Sequence, residues 1–95
     1  MNPNNSLCYY NKAISLRGLN RLEEAIESND KAINLNDMDS NFYNNKATCL
    51  IELGKLEEAI HEVDKAIKLD AANTIYIKNK EYILSKLKKV GIALY

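Results

Sequence analysis

The sequence predicts an all-α fold: an α-solenoid of antiparallel helix-turn-helix hairpins that ends in a capping helix. Three observations predict it. The 95-residue chain repeats itself at an interval of 34. Within each copy, apolar residues recur at three- and four-residue steps, the spacing of one face of a helix. One Pro and three Gly leave too few breaks for the many turns of an all-β chain.

The repeat carries most of the information. Residues 6–39 and 40–73 agree at 17 of 34 positions, among them the string Leu22-Glu23-Glu24-Ala25-Ile26 against Leu56-Glu57-Glu58-Ala59-Ile60. A partial third copy follows, in which Asn79, Lys80, Leu84 and Leu87 answer Asn45, Lys46, Leu50 and Leu53. In the first copy Tyr9, Ala13 and Leu16 place one stripe on one face of a first helix. Ser6 and Ser40 precede these runs and read as N-caps, each offering an oxygen to an unpaired helix N–H. Asn20 and Gly54 mark the breaks, being residue types that tolerate the left-handed conformation at a helix end.

A second helix then starts near Leu22 and Leu56. Glu23-Glu24 and Glu57-Glu58 fall in its first turn, where the helix dipole favours negative charge. Ala25 and Ala32, and Ala59 and Ala66, allow close helix approach. From Thr74 to about Lys89 the pattern is a first helix without its partner, with Ile77, Leu84 and Leu87 expected to close the core of the second unit. Val90–Tyr95 reads as a helix end and an apolar tail. The resulting organisation is residues 1–5 as a remnant or lead-in, 6–39 and 40–73 as whole units, and 74–95 as a cap or partial third unit. Units of this kind bury their apolar faces only by stacking.

These residues resemble the tetratricopeptide repeat (TPR): an aromatic (Tyr9, Tyr43), a small residue four positions on (Ala13, Ala47), a Leu (Leu16, Leu50), the turn, then the paired Ala positions of the second helix. The sequence departs from the pattern at Asp37 and Ala71, where the unit usually ends in Pro, at Asn29 in place of an aromatic, and at Lys12 and Lys46 in a position commonly apolar. The resemblance implies a right-handed solenoid and a protein-interaction scaffold. It also allows a test of the TPR clamp that grips the C-terminal tails of heat-shock chaperones. Of the clamp positions only Asn45 matches; Tyr10, Ile14, Ile75 and Asn79 stand at the others, so no carboxylate clamp is expected in this frame.

Composition excludes other functions. Thirteen basic and 13 acidic groups give zero net charge, which argues against bulk electrostatic attachment to nucleic acid or an anionic membrane. The neutral charge and the 34-residue period also count against a related 35-residue helical repeat that reads RNA. No run reaches the ~18 apolar residues of a membrane span, and the N-terminus lacks the basic and apolar regions of a signal peptide. Cys8 and Cys49 are far apart and read as reduced thiols. The compartment expected is the cytoplasm, with the nucleus as the second choice. His61 is the single histidine and lacks the partners that a general base or a metal site needs. No enzyme, metal or cofactor is expected.

Binding is the expected function, and the repeat says where. First helices of successive units line the concave side of the stack, so Asn11, Asn45 and Asn79, spaced at 34, should form a ladder of amides there. A carboxamide both donates and accepts, and can clasp the backbone of an extended peptide; the ladder resembles one that some TPR proteins use. Around it, Leu7, Tyr10 and Ile14 are expected to make the groove apolar at the first unit. Asn44, Thr48 and Glu52 make it polar at the second, and Lys78, Tyr82 and Lys86 make it basic and aromatic at the third. By unit, net charge runs about −1, −3 and +4. The competing expectation is a structural segment that self-associates through open solenoid ends, helped by the Ile92-Ala93-Leu94-Tyr95 tail.

Overall fold

The computed structural model describes residues 4–89, which form five helices: α1 (Asn4–Gly18), α2 (Leu22–Leu35), α3 (Ser40–Glu52), α4 (Leu56–Leu69) and α5 (Thr74–Lys89). The Asn2-Pro3 part of the expected lead-in and the Val90–Tyr95 tail lie outside the described residues. Helices α1 with α2 and α3 with α4 form two hairpins, and α5 packs on α4. The turn within each hairpin is made as the residue types suggest: Asn20 lies at φ 61° and Gly54 at φ 79°. At each turn a backbone N–H reaches back to a carbonyl of the first helix, Arg21 to Leu16 and Lys55 to Leu50. A side chain at Gly54 would have room but the wrong backbone conformation.

The cap of α3 sits one residue earlier than expected. Ser40 is the first residue of α3, and the cap is Asp39, whose carboxylate accepts from the Asn41 N–H at 3.0 Å. Thirty-four residues on, Asn73 does the same for Ile75 at 3.0 Å. Ser6 lies inside α1 and is buried. The hydroxyl of Ser40 is used elsewhere: it hydrogen-bonds the Tyr76 hydroxyl at 2.9 Å, and Tyr76 in turn donates to Asn41 Oδ1 at 3.0 Å.

The main core joins α3, α4 and α5 through Tyr43, Ala47, Leu50, Ala59, Val63, Ala66, Tyr76, Ile83 and Leu87. Alanine at 13, 25, 32, 47, 59 and 66 is fully buried, so helix backbones approach closely at each of these positions. A second cluster, Leu16, Leu22, Ala25 and Cys49, seals the first junction. One expectation needs correction. Leu87 is buried, but Ile77 is exposed and Leu84 half-exposed, and Tyr76 and Ile83 close the core instead. The reason is which neighbour α5 meets. It packs on α4 with the face by which α3 packs on α2, whereas Ile77 and Leu84 repeat Tyr43 and Leu50, which face a second helix of their own unit.

Ion pairs lock the junctions in the same register. Lys46 reaches Asp30 at 2.7 Å, and Lys80 reaches Asp64 at 2.7 Å, so each first helix is tied to the preceding second helix. Lys46 also reaches buried Glu62 at 3.4 Å. Burial pulls the Lys46 amine down, but its hydrogen bond to Asp30 and the charge of Glu62 outweigh that and hold it above 10.5. This explains a lysine where such units commonly carry an apolar residue.

Cysteine chemistry separates sharply. Cys8 is exposed and Cys49 buried, and burial pushes the Cys49 thiol up to about 11. Since the thiolate is the reactive species, one equivalent of a thiol reagent such as dithiobis-nitrobenzoate should react promptly in the folded protein. The second should appear only on denaturation. Two prompt equivalents would contradict this packing of the first junction.

Candidate functional site

Helices α1, α3 and α5 form one layer and helices α2 and α4 the other. Helix α1 touches α3 directly, with the Tyr10 and Phe42 rings 5.1 Å apart. Helix α3 reaches α5 through Asn44–Asn79 and the Ser40–Tyr76–Asn41 chain. Among the described residues no hydrogen bond or ion pair joins α2 to α4. The first helices therefore converge while the second helices fan apart, which sets α1, α3 and α5 on the inside of the curve.

The repeat register then assigns the inner surface rung by rung: Leu7, Asn41 and Ile75; Tyr10, Asn44 and Lys78; Asn11, Asn45 and Asn79; Ile14, Thr48 and Tyr82; Gly18, Glu52 and Lys86. Leu7, Ile14, Ile75 and Tyr82 are exposed, and Tyr10 is half-buried. Large apolar side chains thus open to solvent on the two end helices of this layer, α1 and α5, and amides and a hydroxyl fill the middle. Burial, then the charge of Asp39, push the Tyr10 phenol above 10.0. Lys86 Nζ lies 5.4 Å from the centre of the Tyr82 ring, an arrangement in which ring and cation attract.

The three laddered asparagines stand differently. Asn11 is exposed and Asn79 half-buried, while Asn45 is only 4% exposed. Arg17 Nη1 donates to Asn45 Oδ1 at 2.5 Å, and the Asn45 Nδ2 is buried without a partner. Asn79 Nδ2 donates to Asn44 Oδ1 at 2.8 Å. Thr48 is turned inward along its own helix, its hydroxyl donating to the Asn44 carbonyl at 3.0 Å. Sequence spacing found the rung but not Arg17. Its counterparts in the other units are Ile51 and Ser85, so no periodic signal marks it. The paired lysines and aspartates did carry such a signal, since Asp30 and Asp64 each precede their lysine by the same interval.

Other features have less to offer chemistry. An open depression of about 620 Å³ on the outer side of α4 is lined by His61, Asp64, Lys65, Ile67, Lys68 and Ala71. His61 is exposed there. Among the described residues no three His, Cys, Asp or Glu side chains converge as a metal site, and no helix is long and apolar enough to cross a membrane.

A two-layer stack of helical hairpins with a fixed register and an open inner face defines an α-helical repeat protein. The family is equally plain: the profile of the tetratricopeptide repeat matches residues 7–37 and 40–73, and the chain belongs to that family. Solved structures agree. The first TPR of Spaghetti (RPAP3), bound to the HSP90 peptide SRMEEVD, superposes with a TM-score of 0.86 at 23% identity, covering 92% of this chain and 69% of that one. The second TPR of Spaghetti (RPAP3), bound to the same peptide, gives 0.87 at 20% identity over 92% and 81%. The second TPR domain of human RPAP3, in complex with the HSP70 peptide SGPTIEEVD, gives 0.80 at 26% identity over 83% and 66%. A search of curated proteins returned no significant match.

Proposed function

We propose that this chain is a non-catalytic protein-interaction module that holds an extended peptide or a partner helix against its inner face. The observation that carries the reading is the ring of exposed apolar side chains, Leu7, Ile14, Ile75 and Tyr82, around a centre of amides. Exposed large apolar side chains gathered on one concave face, with a few oriented polar groups among them, mark a binding surface. The peptide complexes of the RPAP3 domains support the same use of the fold. Asn11, Asn44 and Asn79 are the amides with surface to offer, and Asn45 acts through Arg17 as part of the floor. Two unpaired cysteines fit a reducing compartment, the cytoplasm or the nucleus.

Self-association by end-to-end stacking has less to work with. Where α3 buries Phe42 and Cys49, α1 carries Cys8 and Ser15, smaller and exposed.

The test is selection of peptides from a random library on the intact chain, followed by amide chemical-shift mapping. Selected peptides should perturb Leu7, Tyr10, Asn11, Ile14, Asn44 and Tyr82. Perturbations confined to α2 and α4, or a library that yields no binder, would end the proposal.

A further inference from the structure

Zero net charge hides a separation across the molecule. The inner helices α1, α3 and α5 carry eight basic and two acidic side chains, and the outer helices α2 and α4 carry three basic and eight acidic. Some of the inner cations are spent: Lys46 and Lys80 face the outer layer and are neutralised by Asp30 and Asp64. The inner rungs keep Lys78 and Lys86 on α5, with Glu52 as their acidic member. Arg17 is half-buried and engaged on Asn45.

The two lysines are eight positions apart, about 12 Å along the axis at 1.5 Å per residue. Lys86 is also placed over Tyr82. A single carboxylate does not sit beside two ammonium groups so separated, whereas two acidic side chains of one extended segment do. The laddered amides are poorly placed to enclose one terminal carboxylate together. Asn45 is buried with its Oδ1 on Arg17, Asn79 gives one of its two N–H groups to Asn44, and Asn11 alone is exposed. On the far side of the groove Leu7 and Ile14 stand one above the other on α1, seven residues apart, with Tyr10 between them.

Resting on the peptide-binding reading above, we propose that the partner is an internal acidic segment: an extended peptide with at least two acidic side chains over Lys78 and Lys86 and an apolar side chain over Leu7 and Ile14. It is read without its C-terminal carboxylate. Charge complementarity of this kind sets partner choice and speeds encounter, and weakens with salt.

The experiment measures fluorescence anisotropy of labelled peptides on the whole chain. The probe is a ten-residue peptide with a Leu-Phe pair followed by four Asp/Glu, made with a free C-terminus, with an amidated C-terminus, and with every acidic residue replaced by its amide. Amidation should change Kd by less than about twofold, and removing the side-chain carboxylates should weaken it at least ~tenfold. The variant Lys78→Glu with Lys86→Glu should lose the acidic peptide by a similar factor, whereas Lys88→Glu with Lys89→Glu, the same charge change at the end of α5, should lose much less. Circular dichroism of both variants shows whether the helices persist, and the gentler Lys78→Gln with Lys86→Gln pair serves if they do not.

Binding lost on amidation, or equal losses from the two charge-reversed variants, would overturn the proposal. The two readings fail differently. A neutral or basic library peptide that maps to the inner face leaves the groove standing and removes the acidic partner. If no peptide of any kind touches the inner face, both fall.

Discussion

Phe42→Ala is expected to remove about 3–5 kcal/mol of stability, the usual cost of emptying a buried aromatic site. That is a large part of what a chain of this size holds. Phe42 is fully buried at the start of α3, with the Tyr10 ring 5.1 Å away on α1, so the cavity would open at the junction between the two hairpins. Stability in a stacked-repeat protein is close to a sum of unit and junction contributions. Weakening this junction should therefore uncouple the first hairpin and not merely lower one midpoint. Urea denaturation followed by far-ultraviolet circular dichroism should show an earlier and broader transition with a smaller slope. As a control, Leu19→Ala at a 67% exposed position should shift stability by less than ~0.5 kcal/mol. A sharp, unbroadened transition displaced by less than about 1 kcal/mol would mean that Phe42 does not couple the hairpins, since truncating a buried aromatic ordinarily costs several times that.

How much of this was legible beforehand depends on whether a feature is local or shared between neighbours. The left-handed turns at Asn20 and Gly54 were legible because the residue type itself meets the conformational demand. The shared faces were legible because a 34-residue period keeps side chains in register. Which neighbour a face meets was not. Periodicity made Ile77 and Leu84 look like core, since Tyr43 and Leu50 are, yet α5 presents Tyr76 and Ile83 to α4 and leaves that pair outward. The cap position was missed for a related reason. Asp39 and Asn73 differ in letter, so identity drew attention to Ser40 beside them, although carboxylate and amide accept the same backbone hydrogen bond.

The inner face shows the same division. Spacing placed Asn11, Asn45 and Asn79 on one rung, but a single unrepeated residue decides how they differ. Arg17 crosses from α1 to hold Asn45. The charge separation was hidden too, because composition counts a lysine on the inner layer and a glutamate on the outer one as cancelling. Sorted by unit the chain showed a modest gradient along its length; sorted by layer it shows a larger one across its width.

The second large effect has the opposite sign. Asn29→Val is expected to stabilise the protein by about 1–3 kcal/mol, the cost of leaving a buried polar group unpaired. Asn29 is fully buried on α2, and neither its Nδ2 nor its Oδ1 has a hydrogen-bond partner. Its counterpart one repeat on is Val63, fully buried in the main core. Asparagine and valine are close in volume, so the change should remove the unpaired amide without opening a cavity, in a setting the chain already uses once. Each kcal/mol should raise Tm by roughly 4–8 °C for a domain of this size. Asn29→Ala separates the two contributions: it too removes the amide but leaves a void, so it should gain less than valine or lose stability. If valine lowers Tm, the amide is paired in solution, and the first unit departs from the second at this position for a reason other than drift. If valine raises it and the inner-face peptide affinity is unchanged, the asparagine is a cost the first hairpin bears without return to binding.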